Sequence, residues 1–454
     1  MSPKVFYCFY FISLLFVCFA AFPNGFAAVL ISLIISVPLI IVFSGKIKVY
    51  SEQLLNIFLV ALIIRIFVST TIYSLELTSF FALDWALYDR LGGGVADYLT
   101  GVAPMTDELR NRVFSFQGTT WGISLITGMI YTLVGKDIIS VQLFIASLGA
   151  VAAPVTYLCA YQIYKNRRTA VIAGYIVALM PSMVLWSSLL LKDGLMVLFL
   201  VLAMYSSSKL QEKFSHRDIT VLIISLIGIM SLRYFIFYMV AVAVVGGFVI
   251  GQKNTTNSIL GRATAVVIIG VIFGYAGILN NASFELERMT SLQDIQASRN
   301  DLATAAESGF GEEYDVSTIG GAVAVLPLGF TYLMLSPLPW QVTSSLAMTT
   351  MPEMIIWWAM IPFMISGIIY SFRKKLRECI SIIVFTLMLT IGYSILQGNV
   401  GTAYRQRAQI QVFLFIFIGA GITLVMERRE NQKILGQIKE REFKRFLKEN
   451  QLKG

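Results

Sequence analysis

Charged residues and histidine are scarce in this sequence. Of its 454 residues only 13% are Asp, Glu, Lys or Arg, about half the usual share, whereas 57% are apolar. This composition excludes a soluble globular enzyme, and it also excludes a disordered chain, which needs low hydrophobicity and high charge. The single histidine, His216, lies in a basic segment. Chemistry that depends on histidine, such as a Ser-His-Asp triad, is therefore not expected.

Cysteine is also rare and shows no functional spacing. Three of the four residues lie inside apolar runs and the fourth lies beside a basic cluster: Cys8, Cys18, Cys159 and Cys379. We expect buried thiols, with neither a disulfide framework nor a zinc site.

What the chain has in abundance is apolar runs of about 15 to 25 residues, which recur along almost its whole length. This pattern predicts an all-α polytopic membrane protein. Basic clusters such as 165–168 mark cytoplasmic loops, because such loops carry an excess of Lys and Arg. Counting crossings between these clusters predicts about twelve transmembrane helices with both termini cytoplasmic. We expect the membrane to be a bacterial or archaeal cell membrane. The runs at about 119–136 and 320–336 must then be re-entrant or interfacial helices on the outer face.

The order of runs and polar segments predicts four regions. Residues 1–53 form a transmembrane hairpin, 54–260 a core with the first outer loop, and 261–426 a second membrane region with another outer loop. Residues 427–454 form a charged cytoplasmic tail, which predicts contact with membrane lipid. The net charge of +9 lies mainly in the loop clusters and this tail. No soluble basic domain remains that could bind nucleic acid.

The few charged residues at the predicted outer face form the candidate site. A charged side chain beside a membrane helix raises the free energy of the protein unless it pairs with another charge or takes part in binding or catalysis. Asp84 closely follows the third apolar run, and Asp89 comes soon after it. Tyr88 is four residues from Asp84 and shares its face if the segment is helical. The alternative for Asp84 is a helix cap or a solvated loop acid.

Two further places on the predicted outer face carry charge. Lys192 and Asp193 stand at the start of an apolar run, where Asp193 could instead cap a helix and Lys192 could extend to the membrane surface. Arg233 and Tyr234 occupy the tip of a hairpin that is otherwise almost free of charge. An arginine there can bind a phosphate or close an ion pair.

Arg405 and Arg407 lie in a predicted outer loop, residues 399–407, against the usual cytoplasmic bias of basic residues. An anionic ligand would explain them, and so would a salt bridge to the acidic second outer loop. A carboxylate can act as a general base that takes a proton from a hydroxyl or amine, and cations can stabilise a phosphate leaving group. The combination points to transfer from a lipid phosphate.

The order of these residues resembles the GT-C-type glycosyltransferases, including the dolichyl-phosphate-mannose protein mannosyltransferases and the aminoarabinose transferases of lipid A. Arg65 followed by Asp84 resembles the start of that family. The turn from Trp186-Ser187 to Lys192-Asp193 resembles its "P…WS…KD/E" turn. The better-matched part covers residues 54 to about 235.

The resemblance implies a polyprenyl-phosphate sugar donor, inverting transfer of a hexosyl or pentosyl group, and a glycan, lipid or protein acceptor. Asp84 would be the base that activates the acceptor and Asp193 the second catalytic acid. Lys192 or Arg233 would hold the donor phosphate. An O-antigen-type polysaccharide polymerase or ligase remains an alternative, as does a transporter or flippase of lipid-linked glycans.

One departure from the family concerns metal binding. Many relatives have two adjacent acids in the first outer loop, whereas Trp85 follows Asp84 here. A divalent metal is therefore left open as a cofactor, with Asp84, Asp107 and Glu108 as its candidate ligands.

Overall fold

The computed structural model describes most of the chain, namely residues 3–45, 51–116, 120–213, 215–250, 263, 266, 267, 270, 291–304, 309–311, 313–342 and 345–451. Most of an apolar run predicted at about 263–280 lies outside the described residues, as does the first part of the second outer loop, 281–290.

Helices account for nearly all of the described residues, in agreement with the all-α prediction. In chain order they are α1 (Pro3–Ala20), α2 (Gly25–Gly45), α3 (Ser51–Ser74), α4 (Thr78–Phe81), α5 (Trp85–Leu99), α6 (Asp107–Leu109), α7 (Trp121–Val134), α8 (Ile138–Ala150), α9 (Ala152–Tyr164), α10 (Arg167–Leu179), α11 (Pro181–Trp186), α12 (Asp193–Glu212), α13 (His216–Leu232), α14 (Tyr234–Ile250), α15 (Leu292–Thr304), α16 (Ile319–Leu335), α17 (Ser345–Lys374), α18 (Leu376–Leu396) and α19 (Val400–Gln451).

Eight helical segments in the described residues are long and apolar enough to cross a membrane: α1, α2, α3, α8 with α9, α12, α17, α18 and the first part of α19. This confirms the polytopic membrane architecture, whereas the count of about twelve stays a prediction.

The two runs predicted to enter the membrane only partway correspond to α7 and α16. With 14 residues, α7 is about 21 Å long, too short for a hydrocarbon core of about 30 Å.

The helices differ in how much surface they bury inside the protein. We compare the share of residues that are buried in the most apolar 18-residue stretch of each segment. This share is 83% for Ile138–Tyr164, 22% for α1 and 17% for α17. The α8–α9 segment is therefore central, and α1 and α17 present apolar side chains outward. On a membrane protein such a surface faces lipid, which explains why so many large apolar side chains are exposed.

Two glycines allow α17 and α19 to pack backbone against backbone. A Cβ at Gly367 would lie 1.9 Å from the carbonyl oxygen of Phe417, and one at Gly421 would lie 1.9 Å from that of Phe363. Only glycine tolerates such an approach, and small residues are typical of packed membrane helices. This contact sets the position of α19, the helix that carries Arg405.

The start of α19 corrects the sequence-based expectation. Residues 400–407 are not a loop, because α19 begins at Val400, and it continues without a break past the predicted tail boundary at 427. Asn399 explains the early start, since its side-chain oxygen accepts hydrogen bonds from the backbone N–H groups of Gly401 at 2.7 Å and Thr402 at 3.2 Å. An asparagine in this position is a strong helix N-cap. Both arginines therefore stand on rigid helix.

We predict that Gly421→Ala lowers the stability of the protein by roughly 1–3 kcal/mol, because the added methyl group must push α17 and α19 apart. Gly436→Ala on the same helix is the matched control, since nothing lies within 4 Å of its Cβ position. The control should be neutral or should stabilise by up to about 1 kcal/mol through helix propensity. Thermal unfolding in detergent measures both, and equal midpoints for the two variants would contradict the packing argument.

Candidate active site

Arg405 joins two acids that come from distant parts of the chain. Its Nη1 donates to Oδ2 of Asp84 at 2.7 Å, and its Nε donates to Oδ2 of Asp193 at 2.7 Å. The other oxygen of Asp193 lies 3.3 Å from Nη2 of Arg233, which donates to it. The result is a row of alternating charges, Asp84–Arg405–Asp193–Arg233, here called the charge row. The structure thus brings together four of the residues that the sequence singled out.

The two acids of the charge row differ sharply in exposure. The side chain of Asp193 is 0% exposed, whereas that of Asp84 is 49% exposed. Both oxygens of Asp193 are engaged by arginine, and Nε2 of Gln409 also lies 3.5 Å from Oδ1. Asp193 therefore holds the two arginines in place. Asp84 is the carboxylate that an incoming molecule can reach.

The cap interpretations can be tested directly. Asp84 occupies the N-cap position of α5, but its side chain makes no capping hydrogen bond. It bonds to Arg405 instead, so the interpretation of Asp84 as a helix cap is wrong. Lys192 is the N-cap residue of α12 and its side chain makes no capping bond either. Asp193 follows in the first turn of α12, where the helix dipole favours a negative charge.

Lys192 and Tyr88 complete the surroundings of the charge row. Lys192 is buried and interacts electrostatically with Arg233, Asp193, Arg405 and Asp84. Burial lowers the pKa of Lys192 to about 7, and the nearby charge of Arg233 adds to this shift. The two arginines balance the two acids, and an anionic ligand would favour the charged form of Lys192.

Tyr88 is almost completely buried beside these charges. Burial raises the pKa of Tyr88 well above its ordinary value, and the negative charge of Asp84 adds to the shift. The hydroxyl therefore stays protonated at physiological pH and can donate a hydrogen bond to an anion.

Arg65 holds the bend that presents Lys192 and Asp193. This buried guanidinium donates from Nε to the hydroxyl of Ser187 at 2.7 Å. It also donates to four backbone carbonyl oxygens, those of Ala61, Val177, Ala178 and Met183. Apart from Ala61 on α3, these carbonyl groups lie beside the break between α10 and α11, where the chain leaves helical geometry, and the bonds from Arg65 help to satisfy them. Sequence reasoning found Arg65 and Ser187 only through the family resemblance, and the structure supplies the physical reason.

Three of the predicted binding residues make other contacts. Asp89 accepts a hydrogen bond from the hydroxyl of Tyr131 and so ties α5 to α7. Arg407 is fully buried, because two residues along a helix turn its side chain by about 200° from Arg405. Its Nη1 donates to the carbonyl oxygen of Ser336 at 2.9 Å. Tyr234 stacks edge-on against Tyr238. Contrary to expectation, Asp89 and Arg407 show no contact with the charge row.

The predicted metal ligands do not converge. Glu108 accepts two hydrogen bonds from the guanidinium of Arg90, at 2.6 and 2.9 Å, and Asp84 is bonded to Arg405. Among the described residues, no three His, Cys, Asp or Glu side chains form a group that could hold a metal ion. Because these carboxylates are neutralised by arginine rather than gathered, this donor set does not fit a divalent cation.

Sequence reasoning missed a buried acid next to this region. Glu353 on α17 is 1% exposed, and its Oε2 accepts hydrogen bonds from the backbone N–H of Ser182 and the hydroxyl of Tyr404, both at 2.7 Å. It thus links α17, α11 and the first turn of α19. The sequence did contain a sign of this residue, because a single acid at the start of an apolar run is energetically unfavourable unless it has a partner.

With this geometry in place, comparisons with known proteins can be related to particular residues. The family model for dolichyl-phosphate-mannose-protein mannosyltransferases matches residues 108–279. The matched segment contains Lys192, Asp193 and Arg233, but neither Asp84 nor Arg405. The match confirms, for this part of the chain, the resemblance drawn from the sequence. The comparison with curated proteins found no match.

Among solved structures, the chain is similar to the archaeal oligosaccharyltransferase AglB from Archaeoglobus fulgidus, which was solved in complex with an inhibitory peptide and a dolichol-phosphate. The two are 11% identical in sequence with a TM-score of 0.45. The similarity covers 87% of this chain and 52% of that protein, so the present chain spans about half its length.

We predict that Asp193→Ala destabilises the protein by roughly 3–5 kcal/mol, because it leaves Arg233 and Arg405 buried without their shared carboxylate. Asp84→Ala serves as the comparison, since its half-exposed side chain leaves Arg405 still paired to Asp193. Its unfolding midpoint in detergent should stay near that of the unaltered protein. Similar losses for the two variants would argue against the assignment of Asp193 as the residue that holds the arginines.

Proposed function

We propose that the protein is a membrane glycosyltransferase that moves a sugar from a polyprenyl-phosphate donor to an acceptor at the outer face of the membrane. The observation that carries this proposal is the charge row, in which one accessible carboxylate stands next to buried cations. The family match over residues 108–279 supports it, because that segment contributes Lys192, Asp193 and Arg233.

The cations supply a site for the donor phosphate. Arg405 is shared between two acids, so an incoming phosphate oxygen can compete for its guanidinium and draw it away from the weaker, half-exposed pair with Asp84. Lys192 and Arg233 add charge beside it. The apolar spans around the site suit the polyprenyl chain of the donor.

Asp84 is then the base. As its carboxylate takes the proton of an acceptor hydroxyl or amine, the acceptor atom bonds to the anomeric carbon from the side opposite the phosphate. The bond from that carbon to the phosphate oxygen breaks, and the phosphate leaves with the electron pair, stabilised by the cations. Asp193 touches neither reactant in this scheme. It keeps both arginines positioned, and the neutral hydroxyl of Tyr88 offers the phosphate a further hydrogen bond.

The placement of basic residues supports an outer-face site. Asp193 begins α12, whereas Glu212 at the other end of α12 pairs with Lys165 of the basic cluster 165–168. Arg168 of that cluster also pairs with Glu430, far along α19 from Arg405. The basic cluster and the charge row therefore lie at opposite ends of the bundle, and clusters of this kind mark the cytoplasmic side.

We predict that Asp84→Asn lowers the transfer rate by about 10²–10⁴-fold, because the amide cannot accept the acceptor proton. The assay uses purified protein in vesicles with a panel of polyprenyl-phosphate sugars. Asp97→Asn, on the same helix, is the control, since that acid pairs with Lys136 away from the charge row, and its rate should be nearly unchanged.

Full transfer activity in Asp84→Asn would disprove the role of Asp84 as base. Flux of lipid-linked sugar across the vesicle membrane without any glycosylated product would instead favour a transporter.

A second prediction concerns the side of the membrane. In a background without Cys8 and Cys18, Leu83→Cys should react with a membrane-impermeant maleimide added to intact cells, because Leu83 is 84% exposed beside Asp84. Ile438→Cys, exposed on the far part of α19, should react only after the membrane is opened. The reverse pattern would place the charge row in the cytoplasm and refute an outer-face reaction.

A further inference from the structure

An open cavity with a largely apolar wall and a cationic rim lies between α17 and α19, apart from the charge row. It measures about 360 Å³ and is lined by three cations, two hydroxyl-bearing residues and three apolar residues: Arg373, Lys374, Arg428, Ser366, Tyr370, Ile369, Leu424 and Val425. No acidic side chain lines it. This volume falls in the lower range of ligand pockets, about 300–1,000 Å³.

The cavity lies at the opposite membrane surface from the candidate active site. Arg405 and Arg428 stand 23 residues apart on the same continuous helix, which corresponds to about 34 Å at 1.5 Å per residue. This distance matches a hydrocarbon core of about 30 Å plus the edge of the headgroup layer. On α17, Arg373 and Lys374 occupy the last turn, at the same level. The three cations thus lie where lipid headgroups are found.

The cations of this cavity have no acidic partner within the part of the chain that the structure describes. Among the described residues, Arg373, Lys374 and Arg428 take part in no ion pair. The nearest acids along α19 are engaged elsewhere, since Glu430 pairs with Arg168 and Glu427 accepts a hydrogen bond from Asn166. Three cations around one cavity without a counter-charge form a site for an anion.

The wall of the cavity continues into an apolar surface. Ile369 on α17 is 47% exposed, and only 17% of the residues in the most apolar stretch of this helix are buried. Lipid chains therefore surround the exposed face of α17. Above the cavity the helices are held in contact at Gly367 and Gly421. An occupant therefore cannot pass between the helices and must enter from the membrane surface with its apolar part along Ile369 and Leu424.

We propose that this cavity binds the phosphate headgroup of an anionic membrane lipid. Arg373 and Arg428 bind the phosphate oxygens from the two helices and Lys374 adds charge, while the acyl chains lie along the exposed face of α17. The bound lipid bridges α17 and α19 at the surface opposite the charge row. This site is independent of the proposed glycosyl transfer.

The test is native mass spectrometry of the purified full-length protein, titrated with phosphatidylglycerol or with phosphatidylcholine. The first phosphatidylglycerol should bind to the unaltered protein on the order of tenfold to a hundredfold more tightly than to the triple variant Arg373→Gln, Lys374→Gln, Arg428→Gln. The matched control is Arg377→Gln, Arg429→Gln, Lys433→Gln, which removes the same charge from exposed positions outside the cavity and should change the affinity less than about threefold.

A further variant separates the cavity from bulk charge. Ser366→Trp fills the cavity without changing the net charge and should also weaken the first binding step. Unfolding midpoints are recorded for every variant. If the cavity triple variant is misfolded, the single change Arg428→Gln replaces it, with Arg429→Gln as its control.

Equal losses in the two triple variants would overturn the proposal, because they would show attraction to surface charge only. Phosphatidylcholine that binds as tightly as phosphatidylglycerol would also overturn it. Excess inorganic phosphate should not displace the lipid. Displacement by that excess would overturn the proposal, because the cavity would then take a free phosphate rather than a lipid.

Discussion

The bond between Arg405 and its two carboxylates is the interaction on which the rest of the site depends. It joins residues separated by 321 and 212 positions in the chain, so it closes the bundle across its first, middle and last parts. A guanidinium removed from water needs either an opposite charge or hydrogen-bond acceptors for its N–H groups. Arg65 has carbonyl oxygens, whereas Arg405 has carboxylates. Asp193 provides the opposite charge in the interior, which leaves Asp84 near the surface and open to a reactant.

Other polar groups serve to hold this interaction in place. Arg65 satisfies the carbonyl groups at the break before α11, and Glu353 ties α17 to α11 and α19. Asn399 caps α19 so that Arg405 stands on a rigid helix rather than on a loop. Each of these contacts joins polar groups in apolar surroundings, where a polar group without a hydrogen-bond partner would cost roughly several kcal/mol of stability.

Several elements were predictable from pattern alone. The long apolar runs identified the candidate crossing helices. The shorter runs at α7 and α16 were predicted to enter the membrane only partway, because full crossings there would place the next basic cluster on the outer side, and this stays a prediction. Asp84, Lys192, Asp193, Arg233 and Arg405 were found because charges at a membrane edge are conspicuous. The start of α19 was missed, since its cap is a single asparagine inside a polar stretch. Glu353 was missed because its partners lie on other helices.

By itself the sequence determined that the chain is an all-α membrane protein. It also singled out a few charged residues as candidates, because placing charge in lipid is costly and each such residue is therefore conspicuous. Only the tertiary structure decided how those residues combine. Arg405 meets Asp84 and Asp193, whereas Arg407, two positions on, faces the opposite side of the same helix. The reason is geometric, since the direction of each side chain follows from helix rotation and from packing against segments distant in the chain.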